Sequence, residues 1–227
     1  MKKLLLATTL AVVALSGQAA TVNVTSAGNY ALLQNYTNCT TAPSLCANFV
    51  AANNLSGTFT TAGSLPTNAS NLEIGSTVTS YSFSNGLETV TSSDSDSRLN
   101  TLRISTDASG NIIAVNIMQV VKWLTGTAPH STADRFSAFV ISGTNGTSTH
   151  NSGCNTVGTG NSGVNDTCVT ATVSDTSRST ANNSPVAVAI AAPTASAPVP
   201  TLSQWGIIAL SSLMAMAAIA RVRRRQR

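Results

Sequence analysis

Aromatic residues make up only 4% of this 227-residue chain, and charged residues only 9%. There are two histidines, His130 and His150, and four cysteines, none of them in a CxxC pair. Without a cluster of such ligands there is no set to hold zinc, so no metal or cofactor is expected. GxSxG, HExxH and a Walker-type glycine loop are also missing, which removes the usual signatures of hydrolases, zinc proteases and nucleotide enzymes. Positive charge is scarce where a nucleic-acid binder needs it. Lys2, Lys3, Arg221, Arg223, Arg224, Arg225 and Arg227 all sit at the chain ends. Between them, Arg98, Arg103, Lys122, Arg135 and Arg178 face eight acidic residues, for a net charge of −3 over that stretch. A mildly acidic body excludes nucleic acid as a partner.

The beginning, MKKLLLATTLAVVALSGQAA, reads as a secretory signal peptide. Lys2 and Lys3 form the basic region, Leu4 to Leu15 the apolar core, and Gly17 and Ala19 the small residues of a cleavage site. Residues 1–19 are therefore expected to engage the Sec machinery and to be removed by signal peptidase. Export places Cys39, Cys46, Cys154 and Cys168 where disulfides form. Three connectivities are open, and two local loops, 39–46 and 154–168, are the simplest.

Residues 20–180 form the body, rich in Ser, Thr, Asn, Ala and Gly. Short runs of alternating apolar and polar residues predict strands at 76–84, 86–92, around Phe59 and at 168–173. RLNTLRIST and NIIAVNIMQVVKWL predict a hairpin turning at DASGN, and RFSAFVISG predicts a strand after it. The expected fold class is mainly β, an antiparallel β-sandwich-like extracellular domain. GNYALLQNYTNC and SLCANFVAANNL permit short helices. The segment 143–168, almost wholly Gly, Asn, Ser and Thr, predicts a long surface loop tied by Cys154 and Cys168. Residues 181–198, with Pro193 and Pro198, predict a semi-extended linker, although PVAVAIA within them has strand character.

Few residues in the body are suited to catalysis. His130, Asp134 and a nearby serine are the closest approach to a nucleophile–base–acid set, and composition alone does not make one. His150 reads as a solvated loop residue. Asp94 and Asp96 resemble the start of a calcium loop that lacks its glycine and closing glutamate. GTGNSG, at 158–163, lacks the strand and helix that would make it an anion cradle. No enzymatic activity is expected.

The chain ends PVPTLSQWGIIALSSLMAMAAIARVRRRQR. Leu202 to Ala220 is nineteen uncharged residues, roughly 28 Å as a helix and thus close to a bilayer's hydrocarbon thickness. A single C-terminal transmembrane helix over 202–220 is expected, with Trp205 at the interface and Arg221, Arg223, Arg224, Arg225 and Arg227 stopping transfer. The stretch Val199-Pro200-Thr201-Leu202-Ser203-Gln204-Trp205-Gly206, with the span and the basic tail of 221–227, resembles the IPTL-CTERM sorting domain. Val199 stands where the family pattern has isoleucine; Pro200, Thr201, Leu202, Trp205 and Gly206 match it. The resemblance is confined to about the last thirty residues, 199–227. It implies an exported protein of a Gram-negative bacterium, held transiently at the inner membrane and cut near 200–202 by an exosortase. Its destination would be the cell surface or the extracellular space, with exopolysaccharide or matrix as a possible partner. The alternatives for the body are an adhesin or glycan-binding module using loop 143–168, and a secreted hydrolase using a histidine.

Overall fold

The computed structural model describes residues 19–172, 174–190 and Ser211. Among the described residues, twelve antiparallel strands make one continuous sheet: β1 (Ala20–Ser26), β2 (Leu32–Gln34), β3 (Ser56–Thr61), β4 (Leu72–Glu73), β5 (Val78–Ser84), β6 (Thr89–Thr91), β7 (Ser97–Thr106), β8 (Ile112–Trp123), β9 (Arg135–Ser142), β10 (Asn145–Gly158), β11 (Thr167–Ala171) and β12 (Ser179–Ile190). The main path runs β4-β7-β8-β9-β10-β12-β1-β3-β5-β6, with β11 on β10 and β2 on β12. A mainly antiparallel β fold is what the alternating runs predict, and the β7–β8 hairpin turns at Asp107–Asn111 as expected.

One strand joins the two halves of the sheet. Along one edge of β12, Ser179 to Pro185 pair with β10. Along the other, Thr180 to Asn182 pair with β2, and Val186 to Ile190 pair with β1. Val22 and Val24 of β1, Phe59 of β3 and Phe83 of β5 share a single buried cluster with Leu102, Met118, Val120, Phe139 and Ile141 of β7, β8 and β9. The sheet thus folds over, and its halves enclose one core. Removing these side chains from water is worth roughly 1.5–3 kcal/mol each, an upper bound if the unfolded chain is itself collapsed.

Strands β8 and β9 are covered on both faces, because their odd and even residues meet different neighbours. Phe139 and Ile141 point into the main core, whereas Phe136 and Ala138 join Val121, Trp123, Cys154 and Cys168 in a second cluster. That cluster is roofed by the β10–β11 hairpin. The disulfides are Cys39–Cys46 and Cys154–Cys168, the two local pairings.

Three expectations need correction. The segment 143–168 is not a long loop: Asn145 to Gly158 form the longest strand, between β9 and β12. Its residues are small because its neighbours come close. A Cβ on Gly146 would sit 2.9 Å from Leu55 Cδ2 and 3.3 Å from the Ser184 carbonyl oxygen. Ser148 is buried and accepts a hydrogen bond from the Tyr30 hydroxyl at 2.7 Å. The possible helices around 28–55 are replaced by β2 and one 3-10 turn at Pro43–Leu45, because the chain there bonds to β12, to the 174–179 segment and across its own loop at Asn35–Phe49 and Tyr30–Asn53, with no continuous helical ladder. The linker expected over 181–198 is strand over 181–190, where the Val/Ala alternation finds β1 as a partner. Its remainder, 191–198, lies outside the described residues, as do 1–18 of the signal peptide.

Close backbone approach gives a direct test. A methyl group on Gly57 of β3 would overlap the Phe83 ring and the Ser82 carbonyl oxygen. Gly57→Ala is expected to cost about 1–3 kcal/mol in urea unfolding. Gly158→Ala, which meets only Val169 at 3.4 Å, is expected to change stability by less than about 0.5 kcal/mol.

Candidate functional site

The sorting residues Val199, Pro200, Thr201, Leu202, Trp205 and Gly206 lie outside the described residues, as do the tail arginines Arg221, Arg223, Arg224, Arg225 and Arg227. Of the expected span 202–220, only Ser211 is described, and its backbone is α-helical. Among the described residues no helix is long and apolar enough to cross a membrane, and no group of His, Cys, Asp and Glu could hold a metal ion. The folded domain offers three places where polar chemistry is concentrated.

The first surrounds His130. The loop carrying it bends back so that the imidazole stacks on Trp123, centroids 4.5 Å apart and planes within 6°. Its partner is Asp166 and not Asp134, which instead accepts hydrogen bonds from the Ser131 backbone N–H and hydroxyl. Asp166 Oδ2 lies 2.8 Å from His130 Nδ1, and Oδ1 accepts the His130 backbone N–H at 2.6 Å. Arg98 Nη2 donates to the same carboxylate at 2.9 Å, and the Trp123 indole N–H donates to the Asp166 carbonyl at 2.9 Å. Burial acts to raise the Asp166 pKa, but the His130 ring, the His130 backbone N–H and Arg98 outweigh it and hold the carboxyl below its ordinary range. The His130 side chain is 0% exposed; its Nε2 has no hydrogen-bond partner and lies 4.0 Å from Asp96 Oδ1. A carboxylate-oriented imidazole resembles a catalytic base, yet no hydroxyl is within bonding distance of Nε2 and the ring is closed to substrate. The arrangement works as a polar rivet joining β7, the 124–134 loop and the start of β11.

The second lies at one end of the main core, where its side chains turn polar. His150 Nδ1 faces Glu88 Oε1 at 2.9 Å and Ser137 Oγ at 3.0 Å, while Nε2 is 2.9 Å from the Leu45 carbonyl oxygen. Lys122 Nζ is 3.6 Å from Glu88 Oε2. In a nucleophile–base–acid relay the hydroxyl and carboxylate must contact opposite ring nitrogens. Here both compete for Nδ1 and a carbonyl occupies Nε2, so the geometry is that of a tie between the Cys39–Cys46 loop and the sheet. Burial pushes the Glu88 pKa up, but contacts with His150, Ser137 and Lys122 bring the carboxyl below its usual range. His150, expected in a solvated loop, and His130 each face a carboxylate distant in sequence.

The third is a polar cleft of about 150 Å³ between β2 and the chain entering β12, lined by Gln34, Asn35, Thr37, Asp175, Thr176, Arg178 and Thr180. Sequence reasoning did not find it. Its residues come from two segments some 140 positions apart, and an unpaired Arg178 has no local signature.

The Asp166 and Glu88 environments fix a pH dependence. Each folded carboxyl is more acidic than its unfolded counterpart, at about 3.9 for Asp and 4.3 for Glu. Their contribution is therefore complete above those unfolded values and is lost as pH falls through the lower folded ones. Asp166→Asn is expected to cost about 1–3 kcal/mol at pH 7. Urea titrations from pH 7 to pH 2.5 should show the gap between wild type and variant shrinking below about pH 4.

Compared with known proteins, residues 197–225 match the family model of the IPTL-CTERM motif. No curated protein and no solved structure matches the chain. The match coincides with the residues that carry the resemblance seen in the sequence. The motif implies an exported, membrane-transiting protein sorted to the cell surface through its C-terminus, with processing by an exosortase.

Proposed function

We propose that this protein is a non-enzymatic component of the bacterial cell surface or extracellular matrix, made as a tethered precursor and released from its tether by proteolysis. The supporting observation is the IPTL-CTERM match over 197–225. In this reading the signal peptide of 1–19 starts export. The span 202–220 and the tail arginines then halt the chain in the inner membrane, and exosortase grips Val199 to Gly206. Proline is excluded from a helix interior, so Pro200 marks a boundary ahead of the span at which a protease could act. The product is a sandwich-like β domain carrying a short C-terminal stub.

A non-catalytic role is favoured by the engagement of both histidines. His130 is closed off by Trp123 and Asp166, and His150 has both ring nitrogens occupied. An adhesin that uses 143–168 as a flexible contact loop has lost its footing, since most of that segment is strand β10. A glycan-binding role located elsewhere on the domain is taken up below.

Mass spectrometry of the mature protein tests the processing step. In cells with exosortase the polypeptide is expected to end near residues 200–202; in cells lacking it, or in a Pro200→Ala/Thr201→Ala variant, the chain should retain Arg227. An Arg227 terminus on the surface-localised wild-type protein would refute the proposal.

A further inference from the structure

The folded domain has five cations, and four of them are spoken for. Arg98 pairs with Asp166, Arg103 with Glu73, Lys122 with Glu88 and Arg135 with Asp175. Arg178 alone has no carboxylate partner among the described residues. Among the described residues its one side-chain hydrogen bond is from Nη1 to the Thr172 carbonyl oxygen at 2.9 Å, which pins the guanidinium and leaves its other N–H groups unused. This unpaired, half-buried cation lines the polar cleft.

The chemistry of the walls narrows what fits. Asp175 does not repel an anion there. Its carboxylate is neutralised by Arg135 at 2.7 Å and further held by the Gly153 and Ser177 backbone N–H groups at 2.9 and 3.0 Å. The Asn35 amide is consumed by Phe49, whose backbone N–H it accepts at 2.9 Å and whose carbonyl it donates to at 3.0 Å. What remains is the Gln34 amide and the hydroxyls of Thr37, Thr176 and Thr180, whose side chains bond to no other described protein group. They supply donors and acceptors in similar number. Among the described residues no aliphatic or aromatic side chain lines the cleft, so an apolar ligand finds none of them to bury against. A single guanidinium matches one negative charge with forked geometry, which suits a carboxylate better than a doubly charged phosphate. A peptide C-terminus would need a backbone amide nest and an apolar pocket for its last side chain, and the lining includes no such pocket. A unit bearing one carboxylate and several hydroxyls satisfies all of these conditions, and the small volume holds one sugar ring.

We propose that the cleft between β2 and the start of β12 binds a carboxylated sugar unit of an acidic polysaccharide, with its carboxylate on Arg178 and its hydroxyls on Gln34, Thr37 and Thr180. The surface-protein reading says where such a ligand would be met. The site itself rests only on the folded domain, so the two can fail separately.

The test is calorimetric titration of the full chain, held in an uncharged detergent free of sugar headgroups, with tri-galacturonate and with neutral galactotriose. Tri-galacturonate is expected to bind saturably, at least tenfold tighter than galactotriose, and to weaken as salt is raised. Arg178→Gln should reduce binding at least tenfold, and Thr180→Val about threefold, while the thermal midpoint of Thr180→Val stays near wild type. The Thr180 variant keeps the test decisive should Arg178→Gln unfold. The proposal is overturned by absence of tri-galacturonate binding, by equal binding of the neutral sugar, by undiminished binding in the folded variants, or by tighter binding of inorganic phosphate. An exosortase-deficient strain should yield protein with unchanged affinity, whatever becomes of its C-terminus.

Discussion

Strand β12 is the constraint on which the rest of the domain depends. Among the described strands it alone is hydrogen-bonded into both halves of the sheet, to β10 along one edge and to β2 and then β1 along the other. Without it β1, β3, β5 and β6 would form a separate ribbon with half a core, and the cluster around Phe59, Phe83 and Phe139 would lie open to water. Its alternation changes phase where it passes from one half to the other: Ala181 is buried before Asn183, Ser184 and Val186 after it, and Asn183 itself, at φ +59°, faces out opposite the register shift in β10.

A second theme is the use of hydroxyls and amides where other domains bury larger apolar groups. Ser137, Ser148, Ser152, Ser177, Ser179 and Ser184 are all buried, as are Asn85, Asn100 and Asn151. Most of them bond to distant backbone or side-chain groups, such as Leu55 N–H to Ser184 Oγ and Thr40 N–H to Ser177 Oγ. Buried polar groups cost free energy unless satisfied, and such networks specify one arrangement when they are. Asn151 shows the principle at the β10 bulge. With φ at +54° it accepts from Arg135 and donates to Thr41 and the Ser177 carbonyl, linking three segments at one point.

The legible part of the fold was the part built on periodicity. Leu102 and Ile104 announce the first strand of the hairpin because one residue in two meets the core. Across the turn the same alternation picks out Ile113, Val115 and Ile117; Val115 is buried, but a register shift opposite Ser105 and Thr106 leaves Ile113 exposed and puts Ile112 in the core instead. Strand β10 was unreadable for the converse reason. NGTSTHNSGCNTVG contains almost nothing hydrophobic, and its strand character comes from β9 and β12 closing on small side chains. The pairing Cys154–Cys168 was the simplest of three connectivities that the sequence left open, and the hairpin between the cysteines was not legible at all. Among the polar sites, the C-terminal motif could be read because its order of residues is local. The partners of His130 and His150 could not, since Asp166 and Glu88 are brought in by topology from 36 and 62 positions away.

The position of β12 also decides how the domain carries tension. A pull between Ser179 and Ile190 runs lengthwise along β12. The hydrogen bonds to β10 on one edge and to β2 and β1 on the other then resist in shear. The strand that completes the fold is held against being drawn out by neighbours on both sides.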